Sequence, residues 1–229
     1  MTVSINPRIY FRWMICMVVA LIVAHFLTTL IPQLAEKESI NRFFHMGEEQ
    51  NLPTFFSTMN LLLSSTLLFL IASLSSKNKR KETIYWFVLG VIFVFLAIDE
   101  FTFIHETISA ITRRSLKTEG YLFFAWVIPY AFVLLVIAVF YFRFLLLIPK
   151  KTCRQFIVAG GVYICGAMGL EVISSGHAYS EGVETLTYNV LNACEETLEM
   201  IGIILFIQAL FEYLNAQWED FYIRIDPKN

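Results

Sequence analysis

Apolar residues fall into six long blocks, near residues 9–31, 54–74, 83–106, 121–148, 155–175 and 188–214. Each reaches the ~20 residues needed to cross a hydrocarbon core about 30 Å thick. The pattern predicts an all-α, polytopic transmembrane bundle of six helices. The connections are too short for a second domain and show no repeat or low-complexity run, so residues 1–229 read as one helical domain. Pro53 is expected in the first turn of the second helix, where a missing N–H does little harm. The fifth block carries Gly161, Cys165 and Gly169, flanked by Gly160 and Gly166. Small residues four apart let helix backbones approach in lipid, which marks this block as the expected central helix.

Composition agrees with a membrane setting: 57% of residues are hydrophobic and 16% charged, against roughly half and a quarter in soluble domains. The first block follows Arg8 and Arg12 as a signal peptide would, but it runs too long and lacks a small-residue cleavage site before Pro32, so it is expected to stay attached. Cys16, Cys153, Cys165 and Cys194 form no C-x-x-C pair and suggest neither a disulfide framework nor a zinc ribbon. The net charge of −2 is uninformative as a total, but its placement is not. With the N-terminus inside, one side holds Arg8, Arg12, Lys77, Lys79, Arg80, Lys81, Arg143, Lys150, Lys151, Arg154, Arg224 and Lys228. The other holds Lys37, Arg42, Arg113, Arg114 and Lys117. Twelve against five predicts both termini on the cytoplasmic side. Trp86, Trp126 and Trp218 near block ends fit aromatic belts.

That orientation leaves Glu82, Glu212, Glu219, Asp220 and Asp226 inside and gathers the remaining acids at the outer side. The stretch VFLAIDEFTFIHE closes the third block with Asp99, Glu100, His105 and Glu106. At about 100° per residue, Asp99, Thr102, His105 and Glu106 share a face roughly 120° wide, while Glu100 points elsewhere. On the sixth helix Asn189, Asn192, Glu195, Glu196 and Glu199 make a stripe of about the same width. The loop after the first helix adds His45, Glu48 and Glu49, and the fifth helix ends at Glu171 with His177 beyond.

From the ~1.5 Å rise, Glu199 lies about 10 Å inside the core, and Asp99 roughly 6 Å below its outer boundary. An acid at the helix centre costs about 2.5–3.5 kcal/mol on insertion scales. Several together need a neutraliser: a metal, protons, or the outer arginines Arg42, Arg113 and Arg114. Carboxylates with a few imidazoles are the ligand set of Zn²⁺, Mn²⁺ or Fe²⁺, and bundle cores receiving Glu and His from several helices hold dinuclear carboxylate sites. His45, Glu49, Asp99, His105, Glu106, Glu171, Glu195 and Glu199 are therefore the candidate ligands of a divalent metal. Glu100 and Glu196 are candidate catalytic carboxyls that move a proton.

Each group has a plainer reading. Asn192 with Glu195 fits an N-cap with its capping-box acid. His45, Glu48 and Glu49 fit a solvated loop, His177 fits a loop residue, and His25 fits a satisfied core histidine. Ser174, Ser175, Glu171 and His177 form only a weak triad-like grouping. The zincin, nucleophile-elbow, phosphate-loop and histidine-box signatures are absent from the sequence. Nucleic-acid binding has no basic face to support it.

The stretches EQNLPT, LAIDEFTFIHE, FAWVIP, GLEVIS and EETLEMIG together resemble a family of uncharacterised bacterial six-helix membrane proteins, over nearly the whole chain. The resemblance falls on Glu49, Asn51, Pro53, Asp99, Glu100, His105, Glu106, Glu171, Glu195, Glu196, Glu199 and Gly202. It implies a bacterial inner membrane and no particular reaction. The expected function is a metal-dependent membrane enzyme acting near the outer leaflet on a lipid or other amphiphile. The alternatives are cation or proton translocation, for which the inner halves of the helices offer no ionisable path, and a non-catalytic subunit or sensor.

Overall fold

The structure, a computed structural model, describes residues 7–78 and 80–218, together with the backbone pairing of β1 (Thr2–Val3) with β2 (Ile223–Arg224). Lys79, Glu219, Asp220, Asp226 and Lys228, assigned to the inner side above, lie outside the described residues. The long helices are α1 (Pro7–Leu30), α4 (Leu52–Lys77), α5 (Thr83–Thr102), α7 (Val127–Leu147), the α8–α9 segment (Lys150–Glu181) and α10 (Leu186–Gln217). All six are long and apolar enough to span a bilayer. The short α2 (Pro32–Ala35) and α3 (Glu38–Phe44) follow α1, and α6 (Ile104–Leu116) follows α5. Pro53 sits in the first turn of α4, behind the N-cap Asn51.

Three departures from the sequence pattern decide where polar side chains go. The third block is not one helix. Phe103 adopts a left-handed conformation (φ 59°) that ends α5, and α6 starts afresh. The fifth block is longer than predicted, and its middle, Cys165–Leu170, widens into a π-helix between α8 (Lys150–Ile164) and α9 (Glu171–Glu181). The sixth helix is capped by Thr185, whose hydroxyl accepts from the Tyr188 N–H at 3.1 Å. Asn192 is therefore two turns inside α10, and the capping-box reading of Asn192 and Glu195 falls.

The central helix is α10, not the glycine-bearing fifth block. It packs on α1, α4, α8 and α9. Of its most apolar stretch 61% is buried, against 22% for the fifth block. Gly160 and Gly161 face open space, and Cys165 is exposed. The widened turn rotates the following residues, so the close approaches are made by Gly166, against the Glu195 carbonyl, and by Gly202, against the Tyr163 backbone. The core joins Leu68 and Ile71 of α4 to Ile207, Leu210 and Leu214 of α10, with Trp86 and Phe144 stacked edge-on at 4.8 Å. Trp86 is fully buried and so is not a belt residue. The helix that contributes least is α7, which buries only Val127, Tyr141 and Phe144.

A methyl group on Gly202 would lie 2.7 Å from the Tyr163 backbone nitrogen, an atom that cannot swing aside. Gly202→Ala is expected to lower stability by about 1–3 kcal/mol, read as a drop in melting temperature in detergent. Gly160→Ala, with nothing near its added carbon, is expected to leave it unchanged. Equal melting temperatures for the two variants would contradict the packing of α8 on α10.

Candidate functional site

A cavity of about 960 Å³ lies between α5, α7, α8 and α10, and it changes character along its length. One end is walled by Glu49, Asp99, Glu100, His105, Glu106, Glu171, Glu195, Glu196 and Glu199, with Tyr130, Tyr163, Tyr188 and Trp126 among them. The other is walled by Leu89, Ile92 and Phe93 of α5, Ile137 of α7, Phe156 of α8 and Phe206 of α10.

The break at Phe103 builds the first part of the polar end. The backbone N–H groups of the first turn of α6 open there, and Asp99, in the last turn of α5, turns back to meet them. Its Oδ1 accepts from the His105 backbone N–H at 2.8 Å, and its Oδ2 accepts from the Tyr130 hydroxyl at 2.9 Å. The His105 ring is folded over the same carboxylate, Nδ1 to Oδ1 3.4 Å, with its Nε2 3.6 Å from Glu49. Trp126 packs edge-on to that ring at 5.5 Å and donates its indole N–H to Glu171 at 2.6 Å. Ser174 then links Glu171 (3.2 Å) to Glu195 (3.4 Å).

Glu49 reaches the cavity because its loop is held by Asn51. The Asn51 side-chain amide donates to the carbonyls of Arg42, His45 and Glu48, while its Oδ1 accepts from the Thr54 N–H and so caps α4. Gly47 lies so close to Asn192 that a Cβ there would collide with that side chain. The segment is thus a fixed wall rather than a solvated loop.

Burial pushes the Glu49 carboxyl up to about 8. Burial alone would lower the His105 imidazole, but the hydrogen bond and charge of Asp99 outweigh it and raise the ring to about 9. His45 moves the other way, lowered by burial against the charge of Glu48 and a hydrogen bond from Asn189.

Among the described residues, no three His, Cys, Asp or Glu side chains converge closely enough to hold a metal ion. The metal centre expected from His45, Glu49, Asp99, His105, Glu106, Glu171, Glu195 and Glu199 is therefore not supported, and neither is a compact carboxylate cluster. The acids are spread along a wall, and most have protein partners where a cluster would need free lone pairs. Both Asp99 oxygens accept hydrogen bonds, Glu171 and Glu195 share Ser174, and Glu49 faces His105. Glu106 stands on the wall with no such partner, and His45 is off it, edge-on to His25 at 4.8 Å.

His25 is a buried core residue whose Nδ1 accepts from the Met46 N–H at 3.2 Å. His177 is helical rather than in a loop and lies 2.7 Å from the Thr185 hydroxyl, while Ser175 accepts from the Phe124 N–H, so no triad forms with Glu171. Of the arginines, Arg42 pairs with Glu48 at the margin of the cavity and Arg113 lies over the Phe123 ring, and neither pairs with the other acids of the wall among the described residues. Trp126, Tyr130, Tyr163 and Ser174 escape the sequence reading as site residues. An indole and a phenol one turn apart, at 126 and 130, were the one available signal, and they fit an aromatic belt equally well.

Residues 13–214 match a family model described as a domain of unknown function (DUF8692), and the chain belongs to that family. No curated protein and no solved structure matches it.

Between pH 6.5 and about 9 His105 holds more proton in the folded chain than in the unfolded one, and Glu49 does so between 4.5 and about 8. Stability therefore falls as pH rises through these windows. The melting temperature in detergent is expected to decline from pH 5 to 9. His105→Gln should flatten the upper part of that decline and Glu49→Gln the lower part. A melting temperature that climbs over this range would contradict the assignment.

Proposed function

We propose that this multi-pass membrane protein of the DUF8692 family holds an amphiphile in its cavity, the head group among the carboxyls and the chain along the apolar run, and that the carboxyls exchange protons with the head. The observation that carries this reading is the change in one continuous cavity from acid-lined to hydrocarbon-lined. A water-soluble substrate gains nothing from the Phe93, Phe156 and Phe206 end, and a wholly apolar one gains nothing from the acids. Entry from the bilayer is favoured by α7, which lines the cavity with one row of side chains yet leaves Phe132, Leu135, Val136 and Val139 exposed around it.

Proton exchange is assigned to Glu100 and Glu196. Both line the cavity, and neither accepts a hydrogen bond from another side chain among the described residues. Glu196 shares the cavity wall with Glu100, Glu199, Glu49 and Glu171. So many carboxyls cannot all be ionised in one small, poorly hydrated space, so protons must be distributed among them. Such a set can give or take a proton at a bound head group, the requirement of general acid–base chemistry. Translocation is the weaker reading, because the apolar end of the cavity carries no carboxylate or base.

Gly160 lies on the cavity wall with nothing within 4 Å of an added carbon, so a large side chain there fills the cavity without pressing on the bundle. In mild detergent the wild type is expected to retain a co-purified lipid, detected by native mass spectrometry. Gly160→Phe should reduce it about tenfold, a loss near 1.4 kcal/mol of binding, at an unchanged melting temperature. Equal lipid in a folded Gly160→Phe variant would overturn the reading.

A further inference from the structure

The acids are matched by one conspicuous cation on the same cavity wall. Arg113, in the last turn of α6, lines the cavity and is half-buried, whereas its neighbour Arg114 is exposed. Despite ten acidic or imidazole side chains on that wall, Arg113 forms no ion pair and no side-chain hydrogen bond among the described residues. Its guanidinium carbon lies instead 4.5 Å from the centre of the Phe123 ring. A guanidinium held through its flat face keeps its edge, with all five N–H donors, unspent.

The platform is fixed on both sides. The Phe124 N–H donates to Ser175 at 2.8 Å, and the Ala125 N–H donates to Ser109 at 2.8 Å, which ties the 123–125 segment to α9 and α6 at once. Phe123 also packs on Tyr179 at 5.8 Å. Arg113 is thereby pre-set, with the ordering of its long side chain largely complete before any ligand arrives.

We infer that Arg113 is an anion-recognition residue of the cavity, and that the amphiphile carries a phosphate-class group seated on its guanidinium edge. This rests on the reading that the cavity takes an amphiphile, and it adds the chemistry of the head. The fork geometry suits the paired oxygens of a phosphate. Arg113 is eight residues beyond His105, about 12 Å along the helix, so the anion sits apart from the acidic end and away from most of its repulsion. The ligand is thus a phospholipid with its phosphate at the rim, its chain in the apolar run, and the remainder of its head facing the acids.

The test presents the detergent-purified full chain with an equimolar mixture of phosphatidic acid and the diacylglycerol of identical chains, and reads the bound ratio by native mass spectrometry. The wild type is expected to prefer phosphatidic acid about tenfold. Arg113→Gln should abolish the preference, Phe123→Leu should weaken it, and Arg114→Gln should keep it. Inorganic phosphate as competitor separates the sources of the anion: erasure of the preference identifies a site for the free anion, and persistence identifies one that needs the lipid chain. Equal binding of the two lipids by the wild type would overturn the inference without depending on any variant, as would a preference that survives in Arg113→Gln. Gly160→Phe, run in parallel, separates the two readings. If it excludes both lipids while the wild type does not discriminate, only the role of Arg113 falls; if it excludes neither, the cavity reading itself falls.

Discussion

The polar end of the cavity depends on Asp99 bonding across a break in its own helix. The left-handed Phe103 costs on the order of 1–3 kcal/mol for a residue with a side chain. A carboxylate accepting from a backbone amide and from Tyr130 recovers a similar amount, since hydrogen bonds to charged groups contribute about 1.5–3 kcal/mol each. Because the break persists, α6 turns away from the line of α5, His105 folds back over Asp99, and Ser109 and Arg113 come to the cavity. A straight helix through residue 106 would leave His105 a turn and a half beyond Asp99 and the cavity open on that side.

A second constraint is that many carboxyls share one cavity wall. Some of them are met by protein donors: a tryptophan, a tyrosine, a serine, one backbone amide and an imidazole. Glu100, Glu106, Glu196 and Glu199 line the same cavity and accept no side-chain hydrogen bond among the described residues. The π-helix serves the same end from another direction, since Gly166 at its start lets α10 approach and brings Glu195 and Glu199 against the segment that presents Glu171.

The six spans were legible because lipid imposes a length and an apolar composition that no other constraint in the chain imitates. The acids were legible as a group for the converse reason, that they stand in segments where hydrocarbon is the rule. Local geometry was not. The break at Phe103 has no glycine or proline to announce it, and its cause lies in a side chain four residues earlier. The π-helix leaves no mark in a sequence read at a fixed period, so a pattern of small residues cannot tell that Gly166 and Gly202 make the close approaches while Gly160 and Gly161 make none. Trp86 resembled an interface residue from its place near a block end, although packing put it at the centre. The metal expectation finds no support among the described residues, because ligand types can be counted in a sequence, but convergence of their lone pairs cannot.

The central claim is that the cavity is a binding site for an amphiphile, polar at one end and apolar at the other. An experimental map of the protein in native lipid tests this most directly. The account predicts elongated density entering beside α7, with its bulkier end beside Glu100, Glu196 and Arg113 and its tail reaching Phe206. A map in which α7 closes onto α5 and α8 and eliminates the cavity, or in which the space holds only water, would contradict it.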